Sequence, residues 1–237
     1  MSLLTCIQRF CERTNLPVPA TVIGTTDTQV LQARALLEEI GIDANSRHTW
    51  TATTFQVLHT TVALQDQGAM TTIAGGGWGF VKNMTIWDRT TTLPVLGPMD
   101  SVEWQALLAV LVTGPRFQFR IQNGHLLVNP VPPAGDQWYF EYVSKYWILG
   151  ADGTTYKQYF TLDTDTMLIP EELMLQGLRA WWKREKGLDY GEDMRMYETQ
   201  LKDASSRDGG KPNLHLDDSC FNGPKPGIWV SPYSWPL

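Results

Sequence analysis

Residues 170–207 read PEELMLQGLRAWWKREKGLDYGEDMRMYETQLKDASSR. This stretch decides the fold class. Pro170 suits the first turn of a helix, where its missing amide proton is no loss. Glu171 and Glu172 favour the positive end of that helix. Lys183, Arg184 and Lys186 favour the negative end, and Gly187 follows them as a terminator. Met174, Leu178, Trp181 and Trp182 recur on one side at helical spacing. After the short loop Leu188 to Gly191, a second helix carries Met194, Tyr197, Leu201 and Ala204. The pair predicts an antiparallel αα-hairpin that ends near Arg207-Asp208-Gly209-Gly210. Leu178, Trp181, Trp182, Met194, Tyr197 and Leu201 are its candidates for packing, within a bundle or within a ring of copies.

The front of the chain is helical too. Leu3, Leu4, Ile7, Phe10 and Cys11 predict a helix from about Ser2 to Arg13, stopped by residues 15–19. Thr26 and Gln29 form a capping-box pattern for a second helix. Val30, Ala33, Leu37 and Ile40 make its apolar stripe, widened by Leu31 and Leu36. Gly41 stands where a helix terminator is expected, with His48 and Trp50 at the exit.

Between the helical ends the period changes to two. Phe55, Val57 and His59 alternate with polar residues. Met84, Ile86 and Trp87, then Phe117, Phe119 and Ile121, then Leu126 to Val128, continue the strand signal. Asn123-Gly124 marks a hairpin, and Pro130, Pro132 and Pro133 close the strand after it. A strand over Trp138 to Tyr146 puts Trp138, Phe140 and Tyr142 on one face and Tyr139, Glu141 and Val143 on the other. One helix interrupts, with Asp100 and Glu103 as a capping box, a Met99–Trp104 staple, and Trp104, Leu107, Leu108 and Leu111 as its buried face. Thr113-Gly114-Pro115 ends it.

The fold class expected is α+β. Residues 1–50 and 166–208 form a helical bundle from the two chain ends. Residues 51–165 form an inserted antiparallel β-rich domain, sandwich- or barrel-like, containing one helix at 100–112. Residues 209–237 form an extended tail rich in Pro and Trp. That tail carries Pro212, Pro224, Pro226, Pro232 and Pro236 beside Phe221, Trp229, Tyr233 and Trp235. Such aromatics are unusual in free disordered tails and suit a segment that docks on another surface.

Composition narrows the function classes. The chain has 237 residues, a formal net charge of -6 and no basic block, so it lacks the usual nucleic-acid footprint. No secretion signal opens it, and no run of about 18 apolar residues spans a bilayer. Synthesis and assembly in a cytoplasm, without a membrane, are expected. Cys6, Cys11 and Cys220 make neither a disulfide framework nor a zinc knuckle; the first two read as helix-packing thiols. His48, His59, His125 and His215 share no metal-binding spacing. The pairs Asp163/Asp165 and Asp217/Asp218 lack the further ligands that calcium needs. Gly75-Gly76-Gly77-Trp78-Gly79 has no G-K-[ST] end and reads as a turn rather than a phosphate loop. No catalytic, metal or cofactor site is expected. Ten tryptophans are the excess to explain: most fall on helical stripes, strands and turns, and only Trp229 and Trp235 have no local core.

The order of several blocks adds to this. Ile7-Gln8-Arg9-Phe10-Cys11-Glu12-Arg13-Thr14, Val22-Ile23-Gly24, Thr85-Ile86-Trp87-Asp88-Arg89 and Glu103-Trp104-Gln105-Ala106 come first. Phe140-Glu141-Tyr142, Ala151-Asp152-Gly153-Thr154-Thr155-Tyr156 and Trp182-Lys183-Arg184-Glu185-Lys186-Gly187-Leu188-Asp189-Tyr190 follow. With them the chain, from Leu3 to about Leu216, resembles the head-to-tail adaptor (connector) proteins of short-tailed and related tailed bacteriophages. The resemblance implies a structural virion protein of the neck. It implies a ring, commonly of twelve copies, beneath the portal protein, extending the DNA channel and offering a platform to a tail nozzle or tube protein. Genomic DNA would pass without sequence-specific binding. In that family the C-terminal segment reaches the portal, which makes Phe221, Trp229, Tyr233 and Trp235 candidate portal-docking residues, although Cys220 to Leu237 departs from the family's pattern. A stopper, tube or baseplate protein is the alternative; the helical hairpin argues against a purely β stopper or tube. A carbohydrate-binding module is a further one.

Overall fold

A computed structural model describes residues 1–109, 114 and 116–209. In chain order the elements are α1 (Leu3–Thr14), α2 (Thr28–Arg47), β1 (Thr54–Thr60), β2 (Asp66–Ala69), α3 (Met70–Ile73), β3 (Trp78–Val81), β4 (Trp87–Asp88), β5 (Leu93–Pro94) and α4 (Ser101–Ala109). Then come β6 (Gln118–Gln122), β7 (His125–Asn129), β8 (Gln137–Ser144), β9 (Ile148–Leu149), β10 (Tyr156–Lys157), β11 (Thr166–Met167), α5 (Glu171–Glu185) and α6 (Gly191–Arg207). The fold is mixed α+β, with terminal helices that pack on one another and flank a β-rich middle.

The helical core is built around α5, which buries Leu173, Met174, Leu175, Leu178, Ala180 and Trp182. A helix buried on most sides needs neighbours on most sides, and α1, α2 and α6 supply them. Gly177 lets α5 approach α2 and α6, since a Cβ there would lie 2.9 Å from both Ile40 and the Tyr197 ring. The Ser2 hydroxyl caps α1 by accepting the Thr5 amide, and Asn15 ends it in the left-handed region. The Asp163–Asp165 turn completes that cap: its carbonyls accept the Leu3 and Leu4 amides at 2.9 and 3.1 Å. Trp147, Ile148 and Phe160 also belong to this core, although their sequence context is the strand-rich middle.

Two details of α2 correct the sequence reading. Its cap is Asp27, whose carboxylate accepts the Gln29 amide at 2.9 Å, and not Thr26. It also runs past Gly41 to Arg47. Gly41 packs face-on against the Trp147 ring, where any Cβ would overlap the indole. A close approach and a helix end both select glycine, and here the first applies.

The β-rich middle is three small antiparallel sheets, not a closed barrel. One has the order β1-β8-β4-β5, with β3 also pairing to β8; the others are β10-β9-β11 and β2-β7-β6. A second core forms between the inner face of the first sheet (Trp138, Phe140, Ile86) and the β6–β7 hairpin (Phe119, Leu126, Val128), with Met70 of α3. The hairpin turn is Asn123-Gly124, with φ of 51° and 74°, as a two-residue turn with both residues left-handed requires. The strand expected around Met84 shrinks to Trp87–Asp88, because Met84 itself has φ of 60°. Gly75 takes φ of +85°, and Gly77 has no room for a side chain, with a Cβ 2.6 Å from Tyr146. These positions support the turn reading of the glycine run.

The interrupting helix is the clearest departure. The capping box is present: Asp100 Oδ1 accepts the Glu103 amide at 2.7 Å. Of the expected buried face only Trp104 is buried. Leu107 is half-buried, Leu108 is 45% exposed, and Leu111 lies outside the described residues. The predicted tail beyond Gly209, with Phe221, Trp229, Tyr233 and Trp235, also lies outside them, as do Thr113, Pro115, His215, Asp217, Asp218 and Cys220.

Candidate functional site

The hairpin residues expected to pack do so inside the chain. Leu178, Trp182, Tyr197 and Leu201 are buried in the helical core, with Trp181 and Met194 partly buried against it. Phe10 meets the edge of Trp182 at 5.3 Å. The basic run of α5 is also engaged. Lys183 and Arg179 bind the carboxylate of Asp193 at the start of α6, where Gln176 also donates. Burial raises the Asp193 carboxyl, but Lys183, Gln176 and Arg179 outweigh it and hold the group below its usual range. Lys186 lies 4.5 Å over Trp182, and Arg184 4.9 Å over Trp181.

The candidate histidines and acids among the described residues make structural contacts. His48 pairs with Asp208 at 3.2 Å, and Asp208 also accepts the Thr51 amide, tying the end of α6 to the exit of α2. His59 sits 3.3 Å from Gln67, and burial pushes its imidazole down. Asp163 accepts the Val22 and Ile23 amides, and Asp165 binds Lys157 at 3.0 Å. Burial pushes the Cys6 thiol up to about 12, which leaves it unreactive as a thiolate. Asp136 is the exception, as its buried Oδ2 has no hydrogen-bond partner among the described residues and Asp88 lies near. No cluster of three or more His, Cys, Asp or Glu among the described residues is placed to hold a metal ion. No helix among them is long and apolar enough to cross a membrane.

What remains is surface. Around Leu58 and Tyr139 the outer face of the first sheet has no cover among the described residues. Its register aligns Leu58 with Tyr139, Tyr139 with Trp87, and Trp87 with Pro94, an apolar row across β1, β8, β4 and β5. Leu58 is 45% exposed, and Met84 beside the row is also exposed. The Arg89 guanidinium stacks 3.6 Å above the Tyr139 ring. Met84, Trp87, Arg89 and Tyr139, together with Gln56 and Glu141, line an open groove of about 710 Å³. Lys82 sits at its rim, 3.7 Å from Glu141. Tyr139 was placed opposite Trp138 by strand alternation. The sequence reading gives no surface role to Leu58, Met84 or Arg89, though Leu58, between Val57 and His59, holds an outward position.

No protein-family model matches the chain, and no curated protein is significantly similar to it in sequence.

Proposed function

We propose that the chain is a structural neck protein of a tailed bacteriophage, a head-to-tail adaptor that forms a ring beneath the portal and carries the tail below. The observation behind this reading is the pairing of the two chain ends in one helical core around a β-rich middle. The resemblance implies a helical domain formed by the chain-terminal helices with a strand-rich domain between them, the same order. A ring of identical copies needs two different surfaces on each copy, one to give and one to receive. The uncovered sheet face and the exposed helix α4 are two such surfaces. Portal docking is assigned to the tail, with Phe221, Trp229, Tyr233 and Trp235 as anchors. Prolines between them restrict the unbound chain and lower the cost of ordering it. Deleting residues 221–237 is expected to abolish binding to the matching portal while helical content stays intact. Unchanged portal affinity in that variant contradicts the docking role.

One observation favours a second reading, a carbohydrate-binding module. The groove over Trp87 and Tyr139 joins aromatic rings to Gln56, Arg89 and Glu141, the mixture that sugar stacking uses. Arg89 already covers the Tyr139 ring, which counts against it. Binding on a glycan array that is lost in Trp87→Ala would favour this second reading.

A further inference from the structure

Among the described residues, every sheet edge but one is guarded. An unpaired edge is a row of amides and carbonyls open to any extended chain, and folds blunt it with short strands, bulges, prolines, lysines or a covering loop. β5 is two residues long and contains Pro94, and β10 is two residues long and contains Lys157. β2 and β3 each carry a register shift. β6 is covered by the segment before α4, with the Phe119 amide on the Leu96 carbonyl and the Met99 amide on the Phe119 carbonyl, both at 2.9 Å. β11 is bridged by Ser2, and its Met167 amide donates to the Met1 carbonyl at 3.2 Å.

β1 is the exception. It reads TFQVLHT, seven residues without proline, Lys, Arg, Asp or Glu. It pairs with β8 in unbroken register from Thr54 opposite Val143 to Thr60 opposite Gln137. Alternate residues of such a strand turn their amide and carbonyl away from the partner. On that far side no other main chain bonds Phe55 to Thr60 among the described residues. Glu141, paired with Lys82 at 3.7 Å, and Arg89, stacked on Tyr139, are the charges on the neighbouring sheet face, and none of them stands on β1.

The described chain ends beside this edge. Asp208 accepts the Thr51 amide at 2.8 Å and the Thr51 hydroxyl at 2.6 Å, and a Cβ on Gly209 would lie 3.3 Å from the Thr51 methyl. Thr51 stands just before β1. The step from Gly209 to Asn213 spans about 13 Å of extended chain, enough to come level with Phe55. From there Asn213-Leu214-His215-Leu216-Asp217 alternates polar and apolar, the period of a strand. β1 alternates in the same way, with Phe55 and Val57 half-buried and Gln56 and Thr60 exposed. Lys211-Pro212 precedes the run and Asp217-Asp218 closes it, so it carries the guards that β1 lacks.

We propose that residues 213–217 add a strand to the free edge of β1 within the same chain. A strand laid directly from Gly209 runs parallel to β1. Leu214 and Leu216 then lie beside Phe55 and Val57, and Asn213, His215 and Asp217 face outward. Strand addition takes its affinity from main-chain hydrogen bonds and its register from the alternate side chains. The pairing fixes the root of the tail and leaves Phe221, Trp229, Tyr233 and Trp235 beyond it. It needs neither a ring nor a portal, so it goes beyond the adaptor reading without resting on it.

The test is amide hydrogen exchange of the full chain, read residue by residue by NMR over a dilution series. The alternate amides of Phe55 to Thr60 that face away from β8 are expected to exchange about tenfold slower than in the double variant L214P/H215P. Two adjacent prolines remove an amide that the pairing uses, whichever of the two faces β1. The double variant L214A/H215A is expected to keep most of the protection. Unchanged circular dichroism shows that neither variant disturbs the rest of the fold. The proposal is overturned if these amides exchange as fast in the unaltered chain as in L214P/H215P. Protection that fades on dilution also overturns it, because a second copy then supplies the strand. So does a loss in L214A/H215A equal to that in L214P/H215P, which marks a side-chain contact rather than a strand. Deleting residues 221–237 is expected to leave the protection in place, so failure of portal docking and failure of this pairing are read separately.

Discussion

At Gly41 a single hydrogen separates α2 from the Trp147 ring. Gly41→Ala forces either the helix or the indole to move, and overpacking of this kind costs about 2 kcal/mol or more. A urea titration is expected to show that loss with an unchanged slope. Asp136 offers the opposite case. Burial first, and Asp88 second, push its carboxyl above the ordinary value of 3.8. A raised carboxyl means that the charged form is disfavoured in the fold, so its penalty is present at neutral pH and fades as pH falls through the raised value. Asp136→Asn is therefore expected to stabilise the chain by about 1 kcal/mol at pH 7, an advantage that shrinks toward pH 4. Thermal melts of both proteins across that range check it. Neither role is legible in the sequence. Gly41 fits a helix end as well as a close approach, and the distinction lies in Trp147, more than a hundred residues away. Asp136 looks like a turn acid beside Gly135, and only the fold buries it.

Among elements, the helical hairpin was the most legible, because Pro170, the charged ends and Gly187 all act locally. Its start and stop agree with the structure, and of its expected stripe Met174, Leu178, Trp182, Tyr197 and Leu201 are buried, with Trp181, Met194 and Ala204 partly buried. The Asn123-Gly124 hairpin and the alternation of β8 are likewise local properties. Helix α4 was legible in its cap but not in its burial. Its apolar residues are spread around the helix, with Glu103 and Gln105 between them, so spacing cannot say which side meets the core. The elements are joined by acids whose carboxyls are held low. Burial raises Asp165, Asp193 and Asp208, but hydrogen bonds and cations outweigh it: the Thr161 and Leu162 amides with Lys157, then Lys183 with Gln176 and Arg179, then Thr51 with His48. A depressed carboxyl stabilises the fold fully above its ordinary value of 3.8 and loses that contribution as pH falls through the folded value. Acid unfolding is expected to set in below about pH 4 for this reason. Asp193→Asn is expected to cost about 2 kcal/mol at pH 7 and to flatten the acid limb of the stability profile. Circular dichroism across pH 2 to 7 reads both effects.

For the whole molecule, the sequence anticipated helical ends that meet and a strand-rich middle, because each end carries its own apolar stripe. It did not anticipate how the middle divides. Strand alternation identifies faces but not which short strands pair, and three small sheets result among the described residues where one sandwich- or barrel-like domain is expected. Nor could it show that Trp147, Ile148 and Phe160 leave the strands to join the helical core. The tryptophan excess is largely resolved at this scale. Trp50, Trp104, Trp138, Trp147 and Trp182 are buried packing residues, while Trp87 stands on the uncovered sheet face. The adaptor reading makes its demand here as well, on a ring beneath a portal. The most direct measurement is electron microscopy of the full chain mixed with the matching portal. The reading predicts a closed ring of copies stacked on the narrow end of the portal. Portal particles left bare at saturating concentrations of this chain would contradict it.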